Sequence, residues 1–86
     1  MTHKNFIKIV LKKIGNDQKL FEEYLLAMLT PGEYKEINNR WEILKLLDSG
    51  VSQHEIAQKL GVGVATVSRG SKVLKDSTPA FRKLLK

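Results

Sequence analysis

The most informative segment of this sequence is residues 52–75, SQHEIAQKLGVGVATVSRGSKVLK, which predicts a short helix, a tight turn and a second helix. Ser52 and Glu55 have the spacing of a capping box, in which each side chain accepts a hydrogen bond from the other residue's backbone N–H. Gly61 can adopt the left-handed backbone conformation that ends a helix at low cost. The first helix therefore begins after Ser52 and ends at Gly61.

The second helix is predicted to begin near Gly63 or Val64 and to end near Lys75. Its outward positions carry slim or hydrogen-bonding side chains, which could enter a DNA major groove without a clash and meet base edges or thymine methyl groups. These outward residues are Ala65, Thr66 and Ser68. The candidates for its inward face are Val64, Val67, Val73 and Leu74.

Three spacings in this segment match those of a helix-turn-helix. Ala57 is small enough to let two crossing helices approach each other. Gly61 follows four residues later, and Val67 follows six residues after that and packs beneath the first helix. An ordinary helical hairpin, in which Gly61 only ends a helix, is the alternative interpretation. The slim outward face of the second helix favours DNA binding over that alternative.

The net charge of +6 is unevenly distributed along the 86 residues. Counting lysine and arginine against aspartate and glutamate, residues 1–14 carry +4, residues 15–50 carry −3 and residues 51–86 carry +5. Positive charge on the helix-turn-helix and on the N-terminal arm is typical of a protein that binds a polyanion. A solvated basic surface, which is common, has the same composition.

Helices are also predicted outside the central segment, and no strand-like alternation or internal repeat is found. Apolar residues recur at three- and four-residue spacing over 3–14 and over 18–29. Thr30 and Glu33 have capping-box spacing with Pro31 at the first helical position, which predicts a helix running to about Asp48. A short last helix is predicted after Pro79; its apolar residues are Phe81, Leu84 and Leu85.

The sequence thus predicts one all-α domain over residues 1–86, with six short helices. A dimerisation core with the N-terminal arm is predicted over 1–50, the helix-turn-helix over 51–76 and the short C-terminal helix over 77–86. The first three helices are more apolar than a monomer needs, so we expect them to pack against a second copy. A compact monomeric bundle is the alternative. A two-fold dimer would present two copies of the motif to successive major grooves.

Composition argues against several other classes of protein. The chain has no cysteine and no run approaching the ~20 apolar residues that span a membrane. Its N-terminus has no small-residue cleavage site of a signal peptide, so we expect a cytoplasmic protein that does not bind membranes. His3 and His54 are isolated, and the acidic pairs are interpreted as solvated helix faces, so neither enzyme activity nor a metal site is predicted. The acidic pairs are Glu22-Glu23 and Glu33-x-x-Glu36.

Several short motifs are spread over the chain from about residue 18 to its C-terminus. They are Leu29-Thr30-Pro31, Arg40, Ser52-Gln53-x-Glu55, Gly61-x-Gly63-Val64-Ala65-Thr66-Val67-Ser68-Arg69-Gly70-Ser71 and Lys75. In these motifs the chain resembles the tryptophan repressor family. The resemblance implies an intertwined all-helical homodimer that represses transcription. Loaded with L-tryptophan as corepressor, such a dimer binds a palindromic operator in double-stranded DNA. No cofactor other than this corepressor is implied.

The resemblance also implies a ligand pocket between the second helix of the motif in one subunit and the centre of the other subunit. Arg40 and Arg69 would enclose the indole ring, because guanidinium planes stack on aromatic rings. Arg69 and the Thr30 hydroxyl would meet the ligand carboxylate, while backbone carbonyls around Ala27 and Leu29 would take the ammonium group. The other implied pocket residues are Gly70, which leaves room for the ring, Ile43 and Leu44 on the apolar wall, and Val73.

The implied DNA contacts fall into two groups. The candidates for contacts with phosphates are Gln53, His54, Lys72 and Lys75. The candidates for base edges, reached directly or through water, are Val64, Ala65, Thr66 and Ser68, with Gly63 at the start of the same helix. Because none of these short side chains offers a bidentate base contact, DNA shape and hydration are expected to carry much of the specificity.

Three positions depart from the family pattern. Val73 stands where well-known members have a serine that helps to hold the amino group of the ligand. His54 stands where an arginine usually contacts DNA, and Ala57 where a lysine is usual. Two alternatives therefore stay open. One is a DNA binder of the same fold that is constitutive or takes a different indole-type ligand, and the other is a basic helical protein-interaction module.

Overall fold

The computed structural model describes the backbone of residues 3–86 and the side chains of residues 5–86. Within that range the chain is helical and contains no strand, which confirms the predicted all-α class with six helices. The helices are α1 (His3–Ile14), α2 (Gln18–Met28), α3 (Pro31–Asp48), α4 (Gln53–Leu60), α5 (Val64–Asp76) and α6 (Pro79–Lys83).

The predicted helix bounds agree closely with those observed. Helix α2 ends one residue before its predicted end, because Leu29 has already adopted an extended conformation with φ −113° and ψ 144°. The chain divides into two compact units, Met1–Tyr34 and Lys35–Lys86, which are described separately. The predicted subdivision into residues 1–50, 51–76 and 77–86 stays a prediction.

The first unit contains α1, α2 and the first turn of α3. Gly15 has a φ of +55° and lies in the turn after α1, and the Asp17 carboxylate caps α2 by accepting a hydrogen bond from Leu20 N at 3.0 Å. The apolar residues of these helices are largely uncovered, with 38% to 66% of the side chain exposed in eight of them. These eight are Phe6, Ile7, Ile9, Leu11, Leu20, Phe21, Leu26 and Met28.

The capping box predicted at the start of α3 is formed by reciprocal hydrogen bonds. Glu33 N donates to Thr30 Oγ1 at 3.1 Å, and Thr30 N donates to Glu33 Oε1 at 2.8 Å. The pKa of Glu33 is held below its ordinary value of 4.5. The larger cause is the hydrogen bond that its carboxylate accepts from the Thr30 backbone, and the smaller is the interaction of the same carboxylate with the Thr30 side chain. The start of α3 is therefore fixed by two side chains, and the hydrogen bonds at this cap favour the ionised form of Glu33.

We expect the contribution of this cap to stability to depend on pH. A folded-state pKa below 4.5 means that folding favours the ionised carboxylate. The stabilisation is therefore present above about pH 4.5 and is lost as the pH falls through the folded-state pKa. An NMR titration of the Glu33 carboxyl carbon should give a midpoint below 4.5, and Thr30→Ala should move the midpoint towards 4.5. A wild-type midpoint at or above 4.5 would contradict the assignment.

The second unit is built on a small core shared by α3, α4 and α5. Ile43, Ile56 and Val67 are fully buried, and Ala57 is 7% exposed. This burial confirms that Ala57 and Val67 lie where the helices of the motif pack together. The surrounding residues that pack against this core are Leu46, Leu47, Val51, Leu60 and Val62.

The turn of the motif has the geometry that its sequence predicts. Ser52 Oγ accepts a hydrogen bond from Glu55 N at 3.3 Å and caps α4. The reciprocal bond of the predicted capping box, from Ser52 N to the Glu55 carboxylate, is not formed between these two described residues, so only half of the box is confirmed. Gly61 ends α4 in the left-handed region with φ 66° and ψ 36°. Gly61 N and Val62 N, the latter at 3.1 Å, both donate to Ala57 O and close the last turn of α4.

Two of the four residues predicted to face inward from α5 do not do so. Val67 is buried and Leu74 is half-buried, whereas Val64 is 41% exposed and Val73 is 53% exposed. Leu74 follows Val67 by two helical turns and shares its face, but Val73 lies about 120° away around the helix. Val64 occupies the first position of α5, one turn before the buried Val67.

The second unit ends with the short helix α6. Thr78 Oγ1 accepts a hydrogen bond from Phe81 N at 3.1 Å, and Pro79 occupies the first turn, as predicted. Of the three apolar residues predicted there, Leu85 is buried with 6% exposed, Phe81 is half-buried and Leu84 is 64% exposed.

Candidate functional site

The outer face of α5 carries the slim side chains predicted to read DNA bases. Ala65, Thr66 and Ser68 are exposed, and Val67 between them is fully buried. Helix α5 begins after Gly63, whose carbonyl accepts hydrogen bonds from Thr66 N at 3.0 Å and from Val67 N at 3.3 Å. Burial of Val67 thus sets the rotation of α5 and leaves the predicted base-reading positions on the surface. Val64, which was also predicted to read bases, is exposed at the same end of α5.

The predicted phosphate contacts lie at two places in the second unit. Gln53 and His54 occupy the first turn of α4, where backbone N–H groups and the positive end of the helix dipole favour an anion. Lys72 and Lys75 lie three residues apart in the second half of α5 and therefore share a face. His54 and both lysines are exposed, and Gln53 is half-buried. All four side chains are accessible to a polyanion.

The two arginines predicted to enclose a ligand ring differ in their surroundings. Arg40 Nη2 donates to Glu36 Oε1 at 2.7 Å, one helical turn earlier in α3, and both side chains are more than half exposed. Arg69 is exposed on α5 and makes no hydrogen bond or ion pair with the residues that the structure describes. Its guanidinium is therefore available to a carboxylate, whereas one nitrogen of the Arg40 guanidinium is already used by Glu36.

Glu36 is a neighbour of the predicted site that the sequence interpretation missed. The acidic pair Glu33-x-x-Glu36 was interpreted as a solvated face, but one carboxylate caps α3 and the other pairs with Arg40. The signal was present in the sequence, because Glu36 precedes Arg40 by four residues, which is the favourable order for a helical ion pair. An exposed pair of this kind orients the guanidinium more than it stabilises the fold.

The first unit holds the backbone groups predicted to bind an ammonium group. The Ala27 carbonyl cannot receive the usual helical hydrogen bond, because the residue four positions later is Pro31, which has no N–H. The corresponding donor for Leu29 is Glu33 N, and it bonds to Thr30 Oγ1 instead. Both carbonyls lie at the C-terminal end of α2, where the helix dipole favours a cation. Thr30 Oγ1 accepts that bond, and the Thr30 side chain also interacts with the Glu33 carboxylate, so the contact of its hydroxyl with a ligand carboxylate stays a prediction.

Gly70 packs closely against the core of the second unit. A Cβ atom built on Gly70 would lie 2.8 Å from Ile43 Cγ2 and 3.6 Å from Leu47 Cδ1. Of the two residues predicted to line an apolar wall, Ile43 is 1% exposed and Leu44 is 8% exposed. The missing side chain of Gly70 thus lets α5 approach α3. The space it would leave for an indole ring stays a prediction.

We expect Gly70→Ala to destabilise the protein despite the higher helix propensity of alanine. The buried Ile43 methyl group cannot move aside easily, so overpacking should outweigh the propensity gain and leave a net loss of about 1 kcal/mol. Ile43→Leu keeps the volume and removes the methyl group that clashes. In that background, Gly70→Ala should be neutral or stabilising. Urea unfolding of the four proteins tests this, and a stabilised single Gly70→Ala variant would contradict it.

Two further features bear on the class of protein. In the part of the chain that the structure describes, no helix is both long and apolar enough to cross a bilayer. Among the same residues, no three histidine, cysteine, aspartate or glutamate side chains are grouped so as to hold a metal ion.

A capped helix, a left-handed glycine turn and a second helix with a slim exposed face define a helix-turn-helix of the kind that DNA-binding proteins use. The family model described as Trp repressor protein matches residues 3–86. The chain therefore belongs to the Trp repressor family, as the resemblance predicted, and is a repressor-type, DNA-binding regulator of transcription. This family is regulatory and not enzymatic.

Individual relatives agree with this assignment. The chain is 38% identical over 69 residues to the Trp operon repressor homolog of Chlamydia trachomatis serovar L2, which covers 79% of this chain and 73% of the relative. It is 39% identical over 82 residues to the homolog of Vibrio campbellii, covering 93% of this chain and 79% of that protein. With the homolog of Vibrio parahaemolyticus serotype O3:K6 it shares 41% identity over 71 residues, covering 81% and 69%.

Proposed function

We propose that this protein is a homodimeric repressor that binds a palindromic DNA operator in response to L-tryptophan or a related indole acid. The observation that carries the proposal is the orientation of α5. Val67 is fully buried beneath α4, while Ala65 is exposed on the opposite side of α5 and Thr66 and Ser68 are exposed on its two flanks. An α-helix with such a slim outer face fits a major groove. The +5 charge of residues 51–86 supplies the attraction for phosphates.

The proposed DNA contacts divide the surface of the second unit by chemistry. The exposed residues of the first turns of α5 face base edges, directly or through water. They are Val64, Ala65, Thr66 and Ser68, with Gly63 preceding them. Gln53 and His54 on α4, and Lys72 and Lys75 on α5, contact phosphates on either side. Because His54 carries no fixed positive charge, the salt dependence of binding rests mainly on the two lysines.

A second copy of the chain is the proposed cover for the apolar residues of the first unit. Side chains such as Phe21, Leu26 and Met28 are about half exposed, which is costly for residues of this size. Packing α1, α2 and α3 against the same helices of a partner would bury them. A two-fold dimer would also place two copies of α5 about 34 Å apart, which is one turn of DNA.

The proposed ligand pocket combines the groups described above. Arg69 has a free guanidinium for the ligand carboxylate, and the Thr30 hydroxyl can donate to the same group. The carbonyls of Ala27 and Leu29 lack helical donors and lie at a negative helix end, which suits an ammonium group. Arg40 presents the face of its guanidinium to the ring, since Glu36 occupies its edge. Gly70, Ile43, Leu44 and Val73 complete the proposed apolar surroundings.

Ligand and DNA are coupled in this proposal by a population shift. Without ligand, the two helix-turn-helix motifs of the dimer vary in spacing. An indole ring held between Arg40 and Arg69 favours the spacing that fits two successive major grooves. Linkage requires that operator DNA tightens ligand binding by the same factor by which the ligand tightens DNA binding.

The Arg69→Ala variant tests the pocket. In the wild type, we expect L-tryptophan to raise DNA affinity by about 5- to 150-fold, the usual range for coupled sites. Arg69→Ala should abolish this response. The variant should keep the helix content of the wild type and should still be a dimer in solution. Lys59→Ala, which removes one charge from α4 outside the proposed contacts, is the matched control and should retain the response. Full tryptophan-dependent binding by Arg69→Ala would refute the pocket.

Val73 favours a second candidate function within the same family. Its side chain is apolar and 53% exposed, at the position where the resemblance implies a hydroxyl group for the ligand's amine. Losing one hydrogen bond to a charged group costs about 1.5–3 kcal/mol. The alternative is thus a DNA-binding regulator that is constitutive or takes a different indole-type ligand.

We therefore expect weaker discrimination between L-tryptophan and indole-propionate, which lacks the amine, than a serine at position 73 would give. Titration calorimetry on the wild type should give similar affinities for both ligands, and Val73→Ser should increase the preference for tryptophan about tenfold or more. A strong wild-type preference for tryptophan would contradict this expectation. If neither ligand binds while DNA binding is salt-dependent, the constitutive alternative is favoured. If DNA does not bind at all, the protein-interaction alternative is favoured.

A further inference from the structure

Three hydrogen-bond donors converge on one backbone carbonyl at the C-terminal end of α5. Leu74 O accepts hydrogen bonds from Ser77 Oγ at 2.6 Å, from Arg82 Nη2 at 2.8 Å and from Ser77 N at 3.2 Å. Arg82 Nε also donates to Ser77 Oγ at 3.3 Å. The guanidinium of Arg82 therefore reaches back eight residues from α6 and ties two groups at the end of α5 together.

Electrostatics favour a cation at this position. The C-terminal end of a helix carries partial negative charge, and Asp76 adds a full negative charge to the last turn of α5. The Arg82 guanidinium places a positive charge and two hydrogen-bond donors at this helix end. Helix α6 holds Arg82 in place, because Thr78 caps its start and Leu85 just beyond it is buried with 6% exposed.

We propose that Arg82 is a positioning residue for DNA binding. By keeping the last turn of α5 helical, it holds Lys75, which directly follows Leu74, on the same helix face as Lys72. The inference rests on the proposed function, in which Lys75 contacts a phosphate. It assigns to the C-terminal helix a role in DNA recognition that requires no DNA contact of its own.

The competing interpretation is that Arg82 contacts a phosphate itself, as an exposed arginine in a basic DNA-binding protein commonly does. The geometry favours positioning, because both Nε and Nη2 already donate to the end of α5. The two roles predict different results when Arg82 and Lys75 are changed together. A positioning residue has nothing left to position once Lys75 is absent, whereas two separate phosphate contacts contribute independently.

A double-mutant cycle with Arg82→Met and Lys75→Gln tests the proposal. Each single variant should weaken operator binding about fivefold at about 0.15 M salt. Because both subunits of the dimer lose one phosphate contact, the slope of log affinity against log salt should fall by about 1.8. The double variant should bind about as well as either single variant. A double variant about 25-fold weaker than wild type, with a slope lower by about 3.6 for four lost contacts per dimer, would show an independent phosphate contact and overturn the proposal.

Two further variants separate positioning from loss of charge. Ser77→Ala removes the hydroxyl that Arg82 contacts and keeps every positive charge, so any loss of DNA affinity comes from the end of α5. It should weaken binding at least twofold in the wild type and have no effect in the Lys75→Gln background. Lys83→Gln removes one charge from α6 outside this contact and should change the affinity by less than about twofold, because distant charges are screened. Unchanged binding by Ser77→Ala would count against the proposal.

Hydrogen exchange of the free protein distinguishes this proposal from the proposed function. Without DNA, Arg82→Met should speed exchange of the Lys75 and Asp76 amides about fivefold or more and leave the Val67 amide unchanged. Unchanged exchange at Lys75 would refute the positioning role even if DNA binds normally. A third outcome is that Arg82→Met speeds exchange but the wild-type protein does not bind DNA. That result would reject the proposed function and, with it, the role of Arg82 in DNA recognition.

Discussion

Burial of Val67 against α4 is the contact on which the functional surface of this protein depends. Val67 and Ile56 are fully buried, and Ile43 of α3 completes the same core. Each of these aliphatic side chains contributes about 1.5–3 kcal/mol when it is removed from water. Because side chains on a helix are fixed relative to one another, turning Val67 inward also turns Ala65, Thr66 and Ser68 outward. The core thereby decides which side of α5 another molecule can meet.

The small size of that core explains two other features of the second unit. Gly70 has no side chain where α5 passes Ile43, so the helices come close enough to exclude water without a larger apolar residue. The ends of the helices are closed by polar groups instead of by packing. Ser52, Thr78 and the contact from Arg82 to Leu74 each satisfy backbone groups that a short helix would leave exposed.

The first unit shows the opposite balance of packing and exposure. Side chains cap the starts of α2 and α3, but the large apolar residues Leu11 and Met28 are 66% and 59% exposed. A chain of this length buries too little surface to be very stable alone. If a second copy covers these helices, as we propose, folding and assembly become one equilibrium, and stability depends on protein concentration. Polar backbone groups are nevertheless available at the α2–α3 junction. There, Pro31 and the Thr30 cap leave the carbonyls of Ala27 and Leu29 without helical hydrogen-bond donors.

Local chemistry made the helices and their ends predictable from the sequence. Caps such as Thr30 with Glu33, the glycine at position 61 and the apolar period act within a few residues, so the bounds of six helices and the helix-turn-helix followed from the residues alone. The sequence also indicated the protein family, mainly through the residues from Gly61 to Ser71. Tertiary structure decided what depends on distant contacts. Val64 and Val73 turned outward because no other element of the second unit covers them, and Arg82 met Leu74 because the chain reverses between α5 and α6. The residues of the proposed ligand pocket stay predictions for a related reason, since that pocket is proposed to lie between two copies of the chain.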